Sequence, residues 1–249
     1  MLKFLLLLLL PFFAAAEIDL SVYEKGLYSP HGEDGILATL FAQLPTDKKI
    51  CVEFNVKNGV VCSSTLLLRK QGWKGILFDR GEEIPSIGLY KEFVNAGNVS
   101  KFFEKYNVPE QFELLAIHVG YNEFHIWNAL DPKYRPSVVM IEYNGYLPPD
   151  EDRVAKYRPF YLGDSTDYFG ASILAFFNLG KAKGYTLVYA DLSGSTLFFV
   201  RNDLAEGLDF KNAGNPEELH RFPTAKRKPD VKQREYLASR ELLDPKETP

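Results

Sequence analysis

Cysteine is nearly missing from this 249-residue chain: Cys51 and Cys62 are too few for a disulfide framework, and no zinc-type ligand spacing occurs. The reading is therefore two free, mostly buried thiols and no metal site. A basic excess is missing as well. With 29 Lys and Arg against 33 Asp and Glu the formal charge is −4, so no general positive field gathers nucleic acid or anionic lipid. Long apolar runs are confined to one place, Phe4 to Phe13, and that run is too short to span a bilayer comfortably. Internal repeats are absent. What remains, 46% hydrophobic and 25% charged residues, fits neither disorder nor a coiled coil and is enough for one large α/β domain with an appendage.

The N-terminal run has its own signature. Met1, Leu2 and Lys3 form a short positive start, and Ala14, Ala15 and Ala16 form a small-residue cleavage pattern before Glu17. Residues 1–16 therefore read as a secretory signal peptide. The expectation is an exported protein, periplasmic or secreted, with no stable membrane span once the signal is removed.

Ile50 to Arg80 is the organising stretch. An apolar strand (Ile50 to Phe54), a turn ending in Gly59, a helix (Ser64 to Gln71) and a second strand (Gly75 to Phe78) that delivers Asp79 make a βαβ unit. Ahead of it, Ile36, Leu37, Leu40, Phe41 and Leu44 recur at helical spacing behind Glu33 and Asp34, whose carboxylates suit a helix N-terminus. After it, Glu82 to Leu89 reads as a loop, Lys91 to Val94 as a third strand, and Val99 to Tyr106 as a helix. Phe112 to Val119 and Ser137 to Ile141 are continuous apolar runs of the kind a sheet covered on both faces requires. Residues 145–165 look too polar and proline-broken for core and are expected as a lid or partner-contact loop. A helix from Ala171 to Lys183 and an antiparallel pair, Tyr185 to Tyr189 with Thr196 to Val200, close the domain at about residue 204. Residues 205–249 are charge-mixed and read as a solvated C-terminal extension.

Several stretches then share a pattern. Ser29-Pro30-His31-Gly32-Glu33-Asp34-Gly35, Cys51-Val52-Glu53-Phe54, Gly72-Trp73-Lys74-Gly75-Ile76-Leu77-Phe78-Asp79, Ile141-Glu142-Tyr143-Asn144, Asp167-Tyr168-Phe169-Gly170-Ala171-Ser172 and Phe198-Phe199-Val200-Arg201 resemble, in order, the landmarks of FkbM-like methyltransferases. These belong to the class I S-adenosylmethionine-dependent methyltransferases, and the similarity runs from about Tyr28 to Leu204. It implies a Rossmann-like, mainly parallel seven-stranded sheet with helices on both faces. It also implies S-adenosylmethionine as cofactor beside Glu53, Asn55, Gly59 and Asp79, with Asp79 accepting the ribose hydroxyls.

The departures from that pattern carry as much weight. The family's turn, Glu-Phe-Gly-x-x-Asp-Gly, has Asn55 in place of its first glycine and Asn58 in place of its acid. Asn tolerates a left-handed backbone, but its side chain takes up space, and the lost acid removes a charge-assisted bond. At the fourth strand two carboxylates give way to His118 and Gly120. His118 is a candidate general base for a hydroxyl acceptor, with filling of the vacated acid site as its plainer role. Glu142 is the second candidate catalytic residue. Asp79 reads equally well as a turn former before Gly81, and Glu53 as an acceptor for buried backbone. His31, His125 and His220 read as surface or loop residues. Two functions follow: a degenerate, exported methyltransferase-like domain kept as a binding module and holding no cofactor, or an active O-methyltransferase acting on a hydroxyl acceptor.

Overall fold

The computed structural model describes residues 16–60 and 63–243; the apolar run Phe4 to Phe13 and Cys62 lie outside them. In chain order the main elements are α1 (Glu33–Gln43), β1 (Ile50–Phe54), α2 (Leu66–Lys70), β2 (Lys74–Asp79), β3 (Leu89–Lys91), α3 (Val99–Lys105), β4 (Gln111–Ile117), α4 (Glu123–Ala129) and β5 (Arg135–Glu142). They continue with β6 (Val154–Ala155), α5 (Ile173–Lys183), β7 (Tyr185–Ala190), β8 (Thr196–Arg201), α6 (Asn202–Ala205), α7 (Pro216–Leu219), β9 (Tyr236–Leu237) and α8 (Ser239–Leu243).

Seven strands form one sheet in the order β3-β2-β1-β4-β5-β8-β7. All pairs from β3 through β5 are parallel, and β8 enters antiparallel between β5 and β7. This is a Rossmann-like α/β fold. Its strands are apolar on both sides because both faces are covered. In β4, Leu115 and Ile117 face the core under α3, α4 and α5, while Leu114 and Ala116 face the core under α1. The same alternation runs through Val139/Ile141 against Val138/Met140 in β5 and Leu197/Phe199 against Phe198/Val200 in β8. Trp127 of α4 lies against Tyr185 and Phe199, tying the first core to the late strands.

Three expectations are corrected. The third strand is Leu89–Lys91, not Lys91 to Val94: Gly88, at φ 73°, turns the chain so that Leu89 pairs with Leu77. Residues 145–165 are not excluded from the core, since Val154 and Ala155 are fully buried and pair with Leu237 and Tyr236. Nor is the chain beyond residue 204 a solvated extension, because Phe210, Leu219 and Ser239 are buried.

That C-terminal chain forms a strap across the carboxyl ends of β5 and β7. Arg221 N–H and carbonyl both bond the Tyr143 hydroxyl, Thr224 N–H donates to Ser193, and the Lys228 carbonyl accepts from Asp167 N–H. Arg234 then clasps the strap to the 145–165 segment. Its guanidinium meets Asp230 at 3.0 Å, Asp164 at 3.0 Å and the Thr166 hydroxyl at 2.8 Å, over the Tyr168 ring.

Candidate functional site

The strand order reverses between β1 and β4, and a cleft opens there beyond the strands' carboxyl ends, where ligands of open α/β sheets bind. Its empty volume is about 300 Å³, open to solvent. Phe54, Phe78, Phe93, Val94 and Val119 make apolar walls; Asn55, Asp79, Arg80 and Glu92 supply the polar groups, and Leu162 reaches in from the 145–165 segment. Sequence-predicted Asn55 and Asp79 therefore meet in one cleft. Glu53, Gly59, His118 and Glu142 do not line it.

The turn after β1 is held by the protein's own groups. Asn55 adopts φ 60°, the left-handed path a glycine would take, and Lys57 and Gly59 follow at φ 52° and 70°. Asp79 is buried and committed: one carboxylate oxygen accepts Lys57 N–H at 2.7 Å and the other Gly81 N–H at 2.8 Å. Gly59 is packed, with a Cβ there falling 2.8 Å from Ile87 Cδ1. Its carbonyl accepts from Arg69, whose stem passes Gly75 so closely that a Cβ on Gly75 would lie 2.7 Å from Arg69 Cδ. Glu92 is engaged in turn by Lys105 and the Tyr106 hydroxyl, both at 2.6 Å.

Glu53 lies beneath that turn. It accepts from Ser63 Oγ at 2.7 Å, Ser64 N–H at 2.8 Å and Thr65 Oγ1 at 2.6 Å, and Arg69 donates to the same two hydroxyls at 3.0 and 3.2 Å. Two buried hydroxyls thus bridge a carboxylate and a guanidinium. Cys51, on the same strand, is a free buried thiol pushed up to about 12 by burial and, next, by the Glu53 charge. A thiol so placed is inert.

The ends of β4 and β5 form a second cluster. Glu123, fully buried, accepts Val119 and Gly120 N–H on Oε1, while its Oε2 has no partner among the described residues. Burial, and then the charge of Glu142, raise it to about 8. Glu142 faces Arg227 of the strap at 3.6 Å, and that guanidinium stacks on Phe169, 3.8 Å from the ring centroid. His118 is half-buried with Nε2 unpartnered among the described residues. His125 is not on the surface: it is buried in α4 and bonded to the Ala155 carbonyl at 2.8 Å. No group of three His, Cys, Asp or Glu side chains among the described residues is placed to hold a metal ion.

These residues do not fit the whole of S-adenosylmethionine. The methionyl half would meet Lys57 and the Arg69-filled turn, with no carboxylate among residues 55–60 to pair its ammonium or sulfonium. Nothing in the sequence singles out Arg69 and Arg227, the two cations that complete these clusters. The Arg69-Gly75 and Arg227-Phe169 contacts join segments with no periodic relation.

No helix among the described residues is long and apolar enough to cross a membrane. No family model matches the sequence, and no curated protein matches it.

Proposed function

We propose that this chain is an exported methyltransferase-like domain that holds no methyl donor and serves as a binding or interaction module. The observation that carries the reading is the self-closed turn after β1. Asp79 is bonded at both oxygens by Lys57 and Gly81, and Arg69 occupies the underside of Gly59. A ribose would have to share Asp79 with two backbone amides, and a sulfonium would approach cations where the family pattern places an acid. Five parallel strands, four of them followed by α-helices, closed by a hairpin and with a cleft at the switch point, support descent from the class I methyltransferase pattern.

A second reading, transfer of a methyl group to a hydroxyl acceptor positioned by His118 or Glu142, is favoured by one observation. Asn55 keeps a left-handed backbone at the edge of an open apolar cleft. Isothermal titration of the folded mature protein with S-adenosylmethionine and with its demethylated product separates the two. The expected result is no heat beyond dilution. Micromolar binding that disappears in Asp79→Ala would overturn the proposal.

Export is proposed from residues 1–16. The mass of the protein recovered outside the cytoplasm is expected to correspond to a chain beginning at Glu17, and an intact Met1 start would count against cleavage there.

A further inference from the structure

The strap presents Arg227 to the end of β5 in an unusual way. An arginine carries five N–H donors, yet among the described residues Arg227 donates no hydrogen bond. Its guanidinium is held by the Glu142 charge at 3.6 Å and the face of Phe169 at 3.8 Å. The strap does not need it. On one side the Ala225 carbonyl accepts from the Tyr146 hydroxyl, and on the other Lys228 exchanges backbone bonds with Ser165 and Asp167. The side chain is thus an occupant of the site and not its fastening.

The site beneath has its own composition. Gly170, next to Phe169, lies near the fully buried Glu123 Oε2, which has no partner among the described residues: a Cβ on Gly170 would lie 3.9 Å from that oxygen and 4.0 Å from Asn144 N. A carboxylate edge and an aromatic face set for a stacked flat cation match guanidinium recognition, which combines ionic and π contacts. Among the described residues Glu142 is the acidic side chain paired with Arg227, so the site is matched to one monocation.

We propose that Glu142 and Phe169 form a binding site for a planar organic cation of the guanidinium or amidinium type, which Arg227 fills as a tethered stand-in. The inference concerns the end of β5 and not the cleft beyond β1, so it does not rest on whether a methyl donor binds. Its probe carries no adenosine, and the two proposals fail separately.

The probe is methylguanidinium chloride, titrated at constant ionic strength and followed by amide NMR signals of residues 169–171. Arg227→Ala is expected to bind it saturably, at least tenfold more tightly than the wild-type protein, in which the tethered side chain competes. Adding Glu142→Gln or Phe169→Leu to Arg227→Ala is expected to weaken binding at least tenfold. Ammonium, a compact cation without a plane, is expected to bind more weakly than methylguanidinium. Equal binding by wild type and Arg227→Ala, or binding indifferent to Glu142→Gln, would overturn the proposal. A second measurement needs no variant. In the wild-type protein the Arg227 Nε–H signal is expected to move towards that of free arginine as methylguanidinium is added, and a fixed signal at saturating probe counts against displacement.

Discussion

Replacing Glu53 with alanine is expected to destabilise the fold by roughly 3–5 kcal/mol, the usual cost of removing one partner from a buried charged network. The size follows from what is stranded. Ser63, Ser64 and Thr65 are all buried, and the Ser64 N–H loses its acceptor together with both hydroxyls. Arg69 simultaneously loses the countercharge that reaches it through those hydroxyls. Glu53→Gln, which keeps an acceptor and drops the charge, is expected to lose less, about 1–3 kcal/mol. In the pair Glu53→Ala with Arg69→Ala the loss should fall short of the sum by about 1–3 kcal/mol, since the two groups share partners. Urea unfolding midpoints of the four variants against the wild type measure these losses. A loss below about 1 kcal/mol for Glu53→Ala would mean that Glu53 does not hold the start of α2 in place.

The second large effect is a stability that declines with pH across the neutral range. Glu123 is raised from 4.5 to about 8 by burial first and by Glu142 second. Between these values the folded chain keeps a proton that the unfolded chain releases. The unfolded state then binds fewer protons, so stability falls as pH rises, by up to about 1.4 kcal/mol per pH unit, and the loss is complete above about pH 8. The total attributable to Glu123 is on the order of 5 kcal/mol. His125, whose burial lowers it from 6.5, works in the opposite direction on the acid side. Glu123→Gln is neutral at every pH and retains an oxygen for Val119 and Gly120. The difference between wild type and variant therefore isolates the Glu123 contribution, with His125 cancelling. Urea midpoints at pH 5, 6, 7 and 8 are expected to fall in the wild type relative to the variant; parallel curves would rule out a proton held by Glu123.

The central fold was legible because its signals are local. β1, β2, β4 and β5 are mainly apolar runs, interrupted inside β1 and β4 by Glu53 and Glu113, and a sheet covered on both faces leaves no other place for Val138 to Ile141. β3 was misplaced because a three-residue edge strand with only Leu89 fully buried has no period to read. The strap escaped for a different reason. Its attachments are backbone bonds, Tyr hydroxyls and the Arg234 clasp, and none of these leaves a hydrophobic repeat. Asp79 and Asn55 were found because a βαβ unit fixes where strand ends lie. Glu123 is not marked as a site residue by the sequence alone. Its buried oxygen, without a partner among the described residues, lies near Gly170, about fifty residues downstream, a contact that no local pattern announces.

The strap's place in the gene order has a temporal consequence. Every strand of the sheet precedes it, so a polypeptide emerging N-terminus first, from a ribosome or an export channel, exposes all of them while the cover is still to come. At usual synthesis speeds that interval lasts on the order of seconds.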